Sequence, residues 1–402
     1  MSVVAGMDTG RLGRLDRHFA RYVEDGRLAG WQVLIGRRGE LVHSAVHGVR
    51  DLATGAPFTE DTIVRMYSMT KPITSVAAMI LVEEGVIQLK DPVSAYIPEF
   101  ADTRVYRSGS IQKPMTEPQT QPMLVWHLLT HMSGLTYGFH NTHAVDAMYR
   151  AAGFEWGYPE GADLAEICRR WAALPLVFQP GAEWNYGVST DVLGRVVEVA
   201  SGMDLETFFR TRILDPLGMD DTTFTLPDSR LDRLAALYVA NPVTGTAVPA
   251  PDVLVPATRP TMLSGGGGLY GTAADYLRFC EMLLGGGERD GTRILGRHTL
   301  GYMGANHLPG GVDLEQIGRP LFAEATFTGM GFGLGFSVVI DPAANKVPCS
   351  VGELAWGGAA STAFWVDPVE DLAVVFLTQL MPSSTHPIRP QLKQLVYQAL
   401  VD

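Results

Sequence analysis

The sequence Ser68-Met69-Thr70-Lys71-Pro72-Ile73-Thr74-Ser75-Val76-Ala77-Ala78-Met79-Ile80-Leu81 decides the fold of this 402-residue chain. Its apolar side chains recur at i, i+3, i+4, i+7 and i+8, which predicts one face of a helix. Proline is tolerated only in the first turn of a helix, so Pro72 places the helix start at or close to Ser68. Gly85 is typical of a residue that ends a helix.

The opposite face of this predicted helix carries Ser68, Lys71 and Ser75, and most of its other residues are small or apolar. A helix that is apolar on both sides is normally buried. Lys71 is the only charge between Ser68 and Val82, and a buried lysine is rare unless it is paired or used in chemistry. Burial disfavours an ammonium, which prepares a lysine for proton transfer.

The composition is that of a globular protein with a sizeable core: 46% of the residues are hydrophobic and 18% are charged. The net charge of −12 and the lack of basic runs argue against nucleic acid as a partner. The sequence shows no signal peptide and no apolar run long enough to span a membrane. Three widely spaced cysteines suggest reduced thiols, so we expect a cytoplasmic protein.

Strand-like segments occur near both ends of the chain. Residues 31–35 and 40–47 flank a Gly-Arg-Arg-Gly turn, and residues 361–366 and 372–378 flank an Asp-Pro-Val-Glu-Asp turn, which predicts two hairpins. Helical patterns dominate the residues between them. The sequence therefore predicts an α/β fold of the α+β type, with a mainly antiparallel sheet that is flanked by helices.

The same pattern predicts the domain organisation. Residues 1–95 and 257–402 would form the α/β lobe, residues 96–256 would form a helix-rich insertion lobe, and the active site would lie between the lobes. We also expect one strand over residues 332–340, and a polar surface segment over residues 103–121.

A serine hydroxyl needs a base before it can act as a nucleophile, and two candidates are present. Lys71 is one helical turn from Ser68, so its amine can reach the hydroxyl. Tyr186 lies in Glu183-Trp184-Asn185-Tyr186-Gly187-Val188-Ser189, and a phenol can accept a proton when a nearby ammonium stabilises its ionised form. The two groups would titrate as a pair, so both stay open as the proton acceptor.

The order of these motifs resembles that of the serine β-lactamase-like superfamily, and within it the family VIII carboxylesterases. The matching stretches are Tyr67 to Lys71, His127 to Leu135, Tyr186, Ser264 to Gly271 and Trp356-Gly357-Gly358. The resemblance implies that Ser68 is the nucleophile and that Lys71 and Tyr186 transfer its proton. It also implies that the backbone N–H groups of Ser68 and Ala359 form an oxyanion hole, and that Trp356, Gly357 and Gly358 line the substrate pocket.

Two positions depart from the pattern of the β-lactamases in this superfamily. Val188 replaces an asparagine that grips an acylamide side chain, and Trp356 replaces a lysine that helps to bind the β-lactam carboxylate. Losing a polar partner of this kind costs an enzyme orders of magnitude against the polar substrate. The sequence therefore predicts a small-molecule ester as substrate, and the resemblance implies short acyl chains.

The same motifs fit other functions as well. The rivals to a carboxylesterase are an acyltransferase of the statin-side-chain type, a β-lactamase or D-alanyl peptidase, and a sensor that is acylated on Ser68 and does not turn over.

The segment Gly266 to Gly271 fits G-x-G-x-x-G without a preceding buried strand, so we expect no dinucleotide there. His127 and His131 lack the glutamate of a zinc motif and are expected to be packed or capping residues. The sequence predicts no cofactor and no metal.

Overall fold

The computed structural model describes residues 2–155, 157–159, 161–319 and 327–402. An eight-stranded antiparallel sheet joins the two ends of the chain in the order β4-β5-β6-β7-β8-β1-β2-β3. Its strands are β1 (Gly30–Arg37), β2 (Glu40–Asp51), β3 (Ala56–Pro57), β4 (Met330–Phe332), β5 (Ser337–Val339), β6 (Leu354–Gly357), β7 (Ala363–Asp367) and β8 (Leu372–Leu377). The sheet and its flanking helices confirm the predicted fold class.

The join between the two ends is the pairing of β8 with β1, from Leu372 opposite Arg37 to Leu377 opposite Gln32. Side chains alternate between the two faces of a strand, and β8 is buried on both faces. Leu372, Val374 and Phe376 pack with helices α1 (Thr9–Glu24) and α5 (Ile388–Tyr397). The intervening residues of β8 face the larger core on the other side, against α4 (Ala273–Leu284).

The segment from residue 332 to residue 340 is not a single strand, so that prediction was wrong. It turns back on itself, and β4 pairs with β5 with Phe332 opposite Ser337. Gly335 in the turn has a φ of +104°, which glycine adopts without the steric penalty of a side chain. The apolar residues on both sides of this turn conceal it in the sequence.

The helix predicted from residues 68–81 is present. A 3₁₀ turn (Tyr67–Met69) leads into α2 (Thr70–Glu83), with Pro72 in the first helical turn. Twelve consecutive residues of α2, from Thr70 to Leu81, are buried. The helix ends before Gly85, whose φ of +72° is left-handed. α2 is thus the centre of the larger core and packs against α3 (Ser189–Ser201).

The residues between the two sheet-forming ends are mainly helical. The polar segment near residue 110 forms a hairpin, Val105–Gly109 with Pro114–Glu117. Strands Tyr238–Ala240 and Ala247–Pro249 pair with each other and with Leu380–Met381 near the C-terminus. The remaining α-helices are Val125–Leu129, Ala144–Ala151, Leu164–Ala172, Leu205–Phe209, Asp215–Leu217, Arg297–Met303, Leu314–Ile317 and Pro342–Asn345. None of the helices in the described ranges is long and apolar enough to cross a membrane.

Short two-stranded pairs complete the structure. One of them, Val64–Arg65 with Tyr270–Gly271, holds the start of α2 against the glycine-rich segment that precedes α4. The other pairs are Val3–Val4 with Met7–Asp8, and Glu288–Arg289 with Thr292–Arg293.

Candidate active site

Ser68 lies in the 3₁₀ turn that leads into α2, at the wall of a large cleft. Tyr67 immediately before it has a φ of +47°, the left-handed region that L-residues avoid. Such strain is retained where the surrounding structure enforces it, and it is common at functional sites. Here the strained turn presents the Ser68 hydroxyl at the N-terminal end of the helix, where backbone N–H groups lack helical partners.

Three of the predicted residues meet at this point. Lys71 Nζ lies 3.0 Å from Ser68 Oγ, and Tyr186 Oη lies 2.6 Å from the same oxygen. Lys71 is only 1% exposed, and its Nζ stands 4.6 Å from the centre of the Tyr186 ring. A hydroxyl with two proton-transfer groups within hydrogen-bond distance has the geometry of an activated nucleophile.

Lys71 has two further partners that the sequence analysis missed. Its Nζ donates to the carbonyl of Gly266 at 2.6 Å and lies 3.1 Å from Tyr137 Oη. Together with Ser68 Oγ these atoms provide three acceptors for the three protons of an ammonium. The sequence analysis noted the glycine-rich motif that begins at Gly266, but it did not predict a contact between Gly266 and Lys71. Burial raises the pKa of Tyr137 well above its usual range, so its phenol stays protonated.

The loop before α3 fixes the position of Tyr186. The Asn185 amide donates to the carbonyl of Leu135 at 3.0 Å, and the Asn185 backbone N–H donates to the carbonyl of His131 at the same distance. The His131 ring packs on Tyr186 with their centroids 5.0 Å apart. Burial lowers the pKa of His131, so its imidazole is neutral. Tyr186 is therefore held by backbone contacts and by a rigid aromatic neighbour.

Trp356 reaches the same phenol from the sheet. It stands at the end of β6, and its indole Nε1 donates to Tyr186 Oη at 3.2 Å. The structure thus places Trp356 on the wall of the cleft, as the resemblance implies, and adds a hydrogen bond to a predicted proton-transfer group. The sequence gave no sign of this second contact.

The turn between β6 and β7 brings Ala359 towards Ser68. A Cβ added to Gly358 would lie 2.5 Å from the carbonyl oxygen of Met66, so this turn packs directly on the backbone that precedes Ser68. Ser68 and Ala359 both line the cleft. The two residues of the predicted oxyanion hole therefore border the same cleft, and their role in it stays a prediction.

The cleft has a volume of about 860 Å³. The lining is mainly apolar and includes aromatic side chains such as Trp356, together with Val188, Gly357 and Gly358. Val188 is 3% exposed and offers no hydrogen bond to a ligand. Charged side chains such as Arg65 and Arg389 also border the cleft. A mainly apolar cleft around a reactive hydroxyl suits an apolar ligand with one polar reacting centre.

The histidines that resemble a metal pair have structural contacts instead. His127 Nδ1 accepts the backbone N–H of Leu124 at 2.9 Å, which caps the helix Val125–Leu129. His131 Nε2 lies 3.4 Å from Thr190 Oγ1. In the described part of the chain, no cluster of three potential metal ligands occurs.

Comparison with known proteins places this geometry in a family. Residues 15–398 match the family described as Beta-lactamase. Esterase EstB of Burkholderia gladioli is 32% identical, over 96% of this chain and 94% of its own length. Lovastatin esterase of Penicillium rubens is 30% identical, over 94% of this chain and 96% of its own.

A solved structure gives the same result in three dimensions. EstCE1, described as a hydrolase with promiscuous acyltransferase activity, is 26% identical and superposes with a TM-score of 0.81, over 96% of this chain and 99% of its own. The family match spans nearly the whole chain, and its relatives include esterases and an enzyme that transfers acyl groups. The chain therefore belongs to the Beta-lactamase family and has the fold of the serine β-lactamases and penicillin-binding proteins, in a branch that includes esterases.

Proposed function

We propose that this protein is a serine carboxylesterase of the family VIII type, which hydrolyses short-chain acyl esters through a covalent ester on Ser68. The observation that carries the proposal is the pair of distances at Ser68 Oγ, 3.0 Å to Lys71 Nζ and 2.6 Å to Tyr186 Oη. The esterases among its relatives support ester bonds as the substrate.

In the first half-reaction the Lys71–Tyr186 pair removes the proton of Ser68, and Oγ attacks the carbonyl carbon of the ester. The carbonyl oxygen becomes an oxyanion that accepts hydrogen bonds from the backbone N–H groups of Ser68 and Ala359. The intermediate then collapses. Its C–O bond to the alcohol breaks, and the alcohol leaves with the proton that the pair has held.

In the second half-reaction water takes the place of the alcohol. The same pair removes a proton from the water, whose oxygen attacks the acyl carbon. Collapse of the second oxyanion breaks the bond to Ser68 Oγ, returns the proton to serine and releases the acid. Two half-reactions of the same form need only one set of proton-transfer groups and one oxyanion site.

The side chains around Ser68 favour an ester over a β-lactam. Val188 and the Trp356 ring line the cleft where β-lactamases of this superfamily are expected to carry an asparagine and a lysine. An uncharged ester needs neither polar partner, whereas a β-lactam would lose the two contacts that this asparagine and lysine provide. Trp356 also directs its N–H to Tyr186.

The test is to compare kcat/KM for a short chromogenic ester and a chromogenic cephalosporin on one preparation. We expect the ester to be preferred by a hundredfold or more, which corresponds to about 3 kcal/mol. Ser68→Ala is the control and should abolish turnover while the protein remains folded. A preference for the cephalosporin would contradict the proposal, and so would residual activity of Ser68→Ala above a thousandth of wild type.

Acyl transfer to an alcohol is the second candidate. The promiscuous acyltransferase activity of EstCE1 favours it, and the cleft of about 860 Å³ has room for an acceptor alcohol beside the acyl group. Hydrolysis and transfer share the first half-reaction and differ in the second. Adding a primary alcohol during ester turnover separates them, because a transferase forms new ester faster than free acid.

We also propose the cytoplasm as the compartment. Cys168, Cys280 and Cys349 are free thiols, and the first two are buried. Unpaired cysteines are typical of proteins kept in a reducing environment.

A further inference from the structure

A carboxylate that the proposed mechanism does not use lies behind Lys71. Asp191 is in the first turn of α3 and is 0% exposed. Its Oδ1 accepts hydrogen bonds from Ser264 Oγ at 2.5 Å and from the backbone N–H of Gly266 at 3.0 Å. Its Oδ2 has no hydrogen-bond partner among the described residues. A buried carboxylate is costly, so its retention at this place suggests a use.

Gly266 connects this carboxylate to Lys71. The N–H of Gly266 points to Asp191, and its carbonyl accepts from Lys71 Nζ at 2.6 Å. A Cβ on Gly266 would lie 2.4 Å from Asp191 Oδ2, so only glycine allows the approach. The side chains of Asp191 and Lys71 thus lie on opposite sides of one residue, and all three residues are buried.

The titratable side chains around Lys71 and Asp191 include Tyr137, Tyr158, Tyr186, Cys168 and His131. Desolvation and the negative charge of Asp191 together raise the pKa values of Tyr137, Tyr158 and Cys168, which therefore remain protonated near neutral pH. Burial lowers the pKa of His131, so its imidazole carries no charge. Burial raises the pKa of Asp191 itself, whereas Lys71, Ser264 and Gly266 lower it.

We infer that Asp191 is a positioning residue that keeps Lys71 in its ammonium form. The inference rests on the proposed function, in which Lys71 and Tyr186 transfer the proton of Ser68. With Lys71 as an ammonium, its three protons go to Gly266 O, Tyr137 Oη and Ser68 Oγ. The Ser68 proton then goes to the oxygen of an ionised Tyr186, which also accepts the Trp356 N–H.

The same number of protons can be arranged with a neutral Lys71 and a neutral Tyr186. In that arrangement Ser68 would give its proton to the lysine nitrogen. Burial by itself favours this neutral pair, because desolvation opposes both charges. A buried negative charge that lies closer to the ammonium than to the phenolate favours the ionised pair instead, and Gly266 places Asp191 beside Lys71. Asp191 therefore shifts the balance towards the ionised pair.

The test is Asp191→Asn, which keeps the shape and the oxygen that accepts from Ser264 and Gly266 but removes the charge. Asp275→Asn is the matched control, because Asp275 is also a buried aspartate in the first turn of a helix, α4, and contacts Arg278 rather than Lys71. The measurement is the pH profile of kcat and of kcat/KM for a chromogenic ester, with Tm as the measure of folding.

For Asp191→Asn we expect kcat to fall at least tenfold with KM within threefold of wild type, and the alkaline limb of the profile to move to lower pH. The limb moves because the ammonium is lost more easily once the negative charge is gone. Asp275→Asn should change Tm and leave both limbs in place. Asp191→Ser, which has no charge and less volume, replaces the asparagine variant if that one does not fold.

An Asp191→Asn variant with the pH profile of wild type would overturn the inference, and so would a loss of activity equal to that of the control. Either result leaves the proposed function intact as long as wild type hydrolyses the ester and Ser68→Ala does not. A wild-type protein without ester hydrolysis would contradict the proposed function itself, and the two failures are thus separate.

Discussion

The indole Nε1 of Trp356 donates a hydrogen bond to Tyr186 Oη, with the two atoms 3.2 Å apart. The two residues are 170 positions apart in the chain and belong to different parts of the fold, the sheet and the loop before α3. An N–H donor at this oxygen stabilises negative charge on the phenol. Trp356 therefore has two roles in the proposed esterase, one on the cleft wall and one in proton transfer.

Replacing Trp356 with Phe keeps an aromatic wall and removes the donor. A hydrogen bond to a charged group is worth about 1.5–3 kcal/mol, so we expect kcat to fall roughly ten- to a hundredfold while KM changes little. The matched control is Trp184→Phe. Trp184 stacks on the same tyrosine with centroids 6.2 Å apart, and its Nε1 has no hydrogen-bond partner in the described ranges. Equal losses in the two variants would show that ring size, and not the N–H, matters.

Lys71→Ala and Tyr186→Phe should each remove most of the activity, because each breaks the same proton path at Ser68. Residues that act as a unit have losses that do not multiply, so the double variant should be about as slow as the slower single one. The measurement is a double-mutant cycle on kcat. Losses that multiply in the double variant would show that the two side chains act independently.

Gly358→Ala tests the approach of the β6–β7 turn to Ser68. The new Cβ would lie 2.5 Å from the Met66 carbonyl oxygen and 2.3 Å from Thr362 Oγ1, so the turn must shift. A shift moves Ala359 away from the developing oxyanion, and we expect kcat to fall by at least tenfold. Loss of one oxyanion donor costs on the order of a hundredfold.

Gly301→Ala is the control for this glycine. Gly301 lies in the helix Arg297–Met303, and a Cβ there would have no atom within 4 Å. Its activity should equal that of wild type, and its stability should rise slightly because alanine favours helices. Full activity in Gly358→Ala would mean that the Ala359 N–H does not contribute to the oxyanion hole.

Acid should destabilise the fold through His140. Burial lowers the pKa of His140 to about 4 in the native state, from an ordinary value of 6.5. Between these values the unfolded chain binds a proton that the native state excludes, so the free energy of unfolding rises with pH. The stability is fully present above pH 6.5 and is lost as the pH falls towards 4.

His140→Gln removes this titration, and its free energy of unfolding should depend less steeply on pH between 4 and 6.5. Denaturant titrations at several pH values measure the slope, and His298→Gln, at an exposed residue, is the control for the replacement itself. An unchanged slope in His140→Gln would contradict a neutral, half-buried imidazole at this position.

The sequence by itself determined the elements whose signal is local. The spacing of apolar residues and Pro72 placed α2, and one helical turn between Ser68 and Lys71 set their contact, because neighbours on a helix are fixed by its geometry. The Gly-Arg-Arg-Gly turn near the N-terminus and the Asp-Pro-Val-Glu-Asp turn near the C-terminus predicted the two hairpins of the sheet. Val188 and Trp356 could be recognised in the sequence as departures from the β-lactamase pattern, because the order of the motifs along the chain identifies both positions.

Only the tertiary structure decided the contacts between segments that are distant in the chain. The Trp356 N–H at Tyr186, the carbonyl of Gly266 at Lys71 and the carboxylate of Asp191 behind it each join residues more than 70 positions apart. Such a contact leaves no periodic pattern of residues in the sequence, because the contact forms only when separate elements pack on one core. The 3₁₀ turn and α2 thus provide a serine and a lysine, and the packing of the rest of the chain around α2 sets their partners.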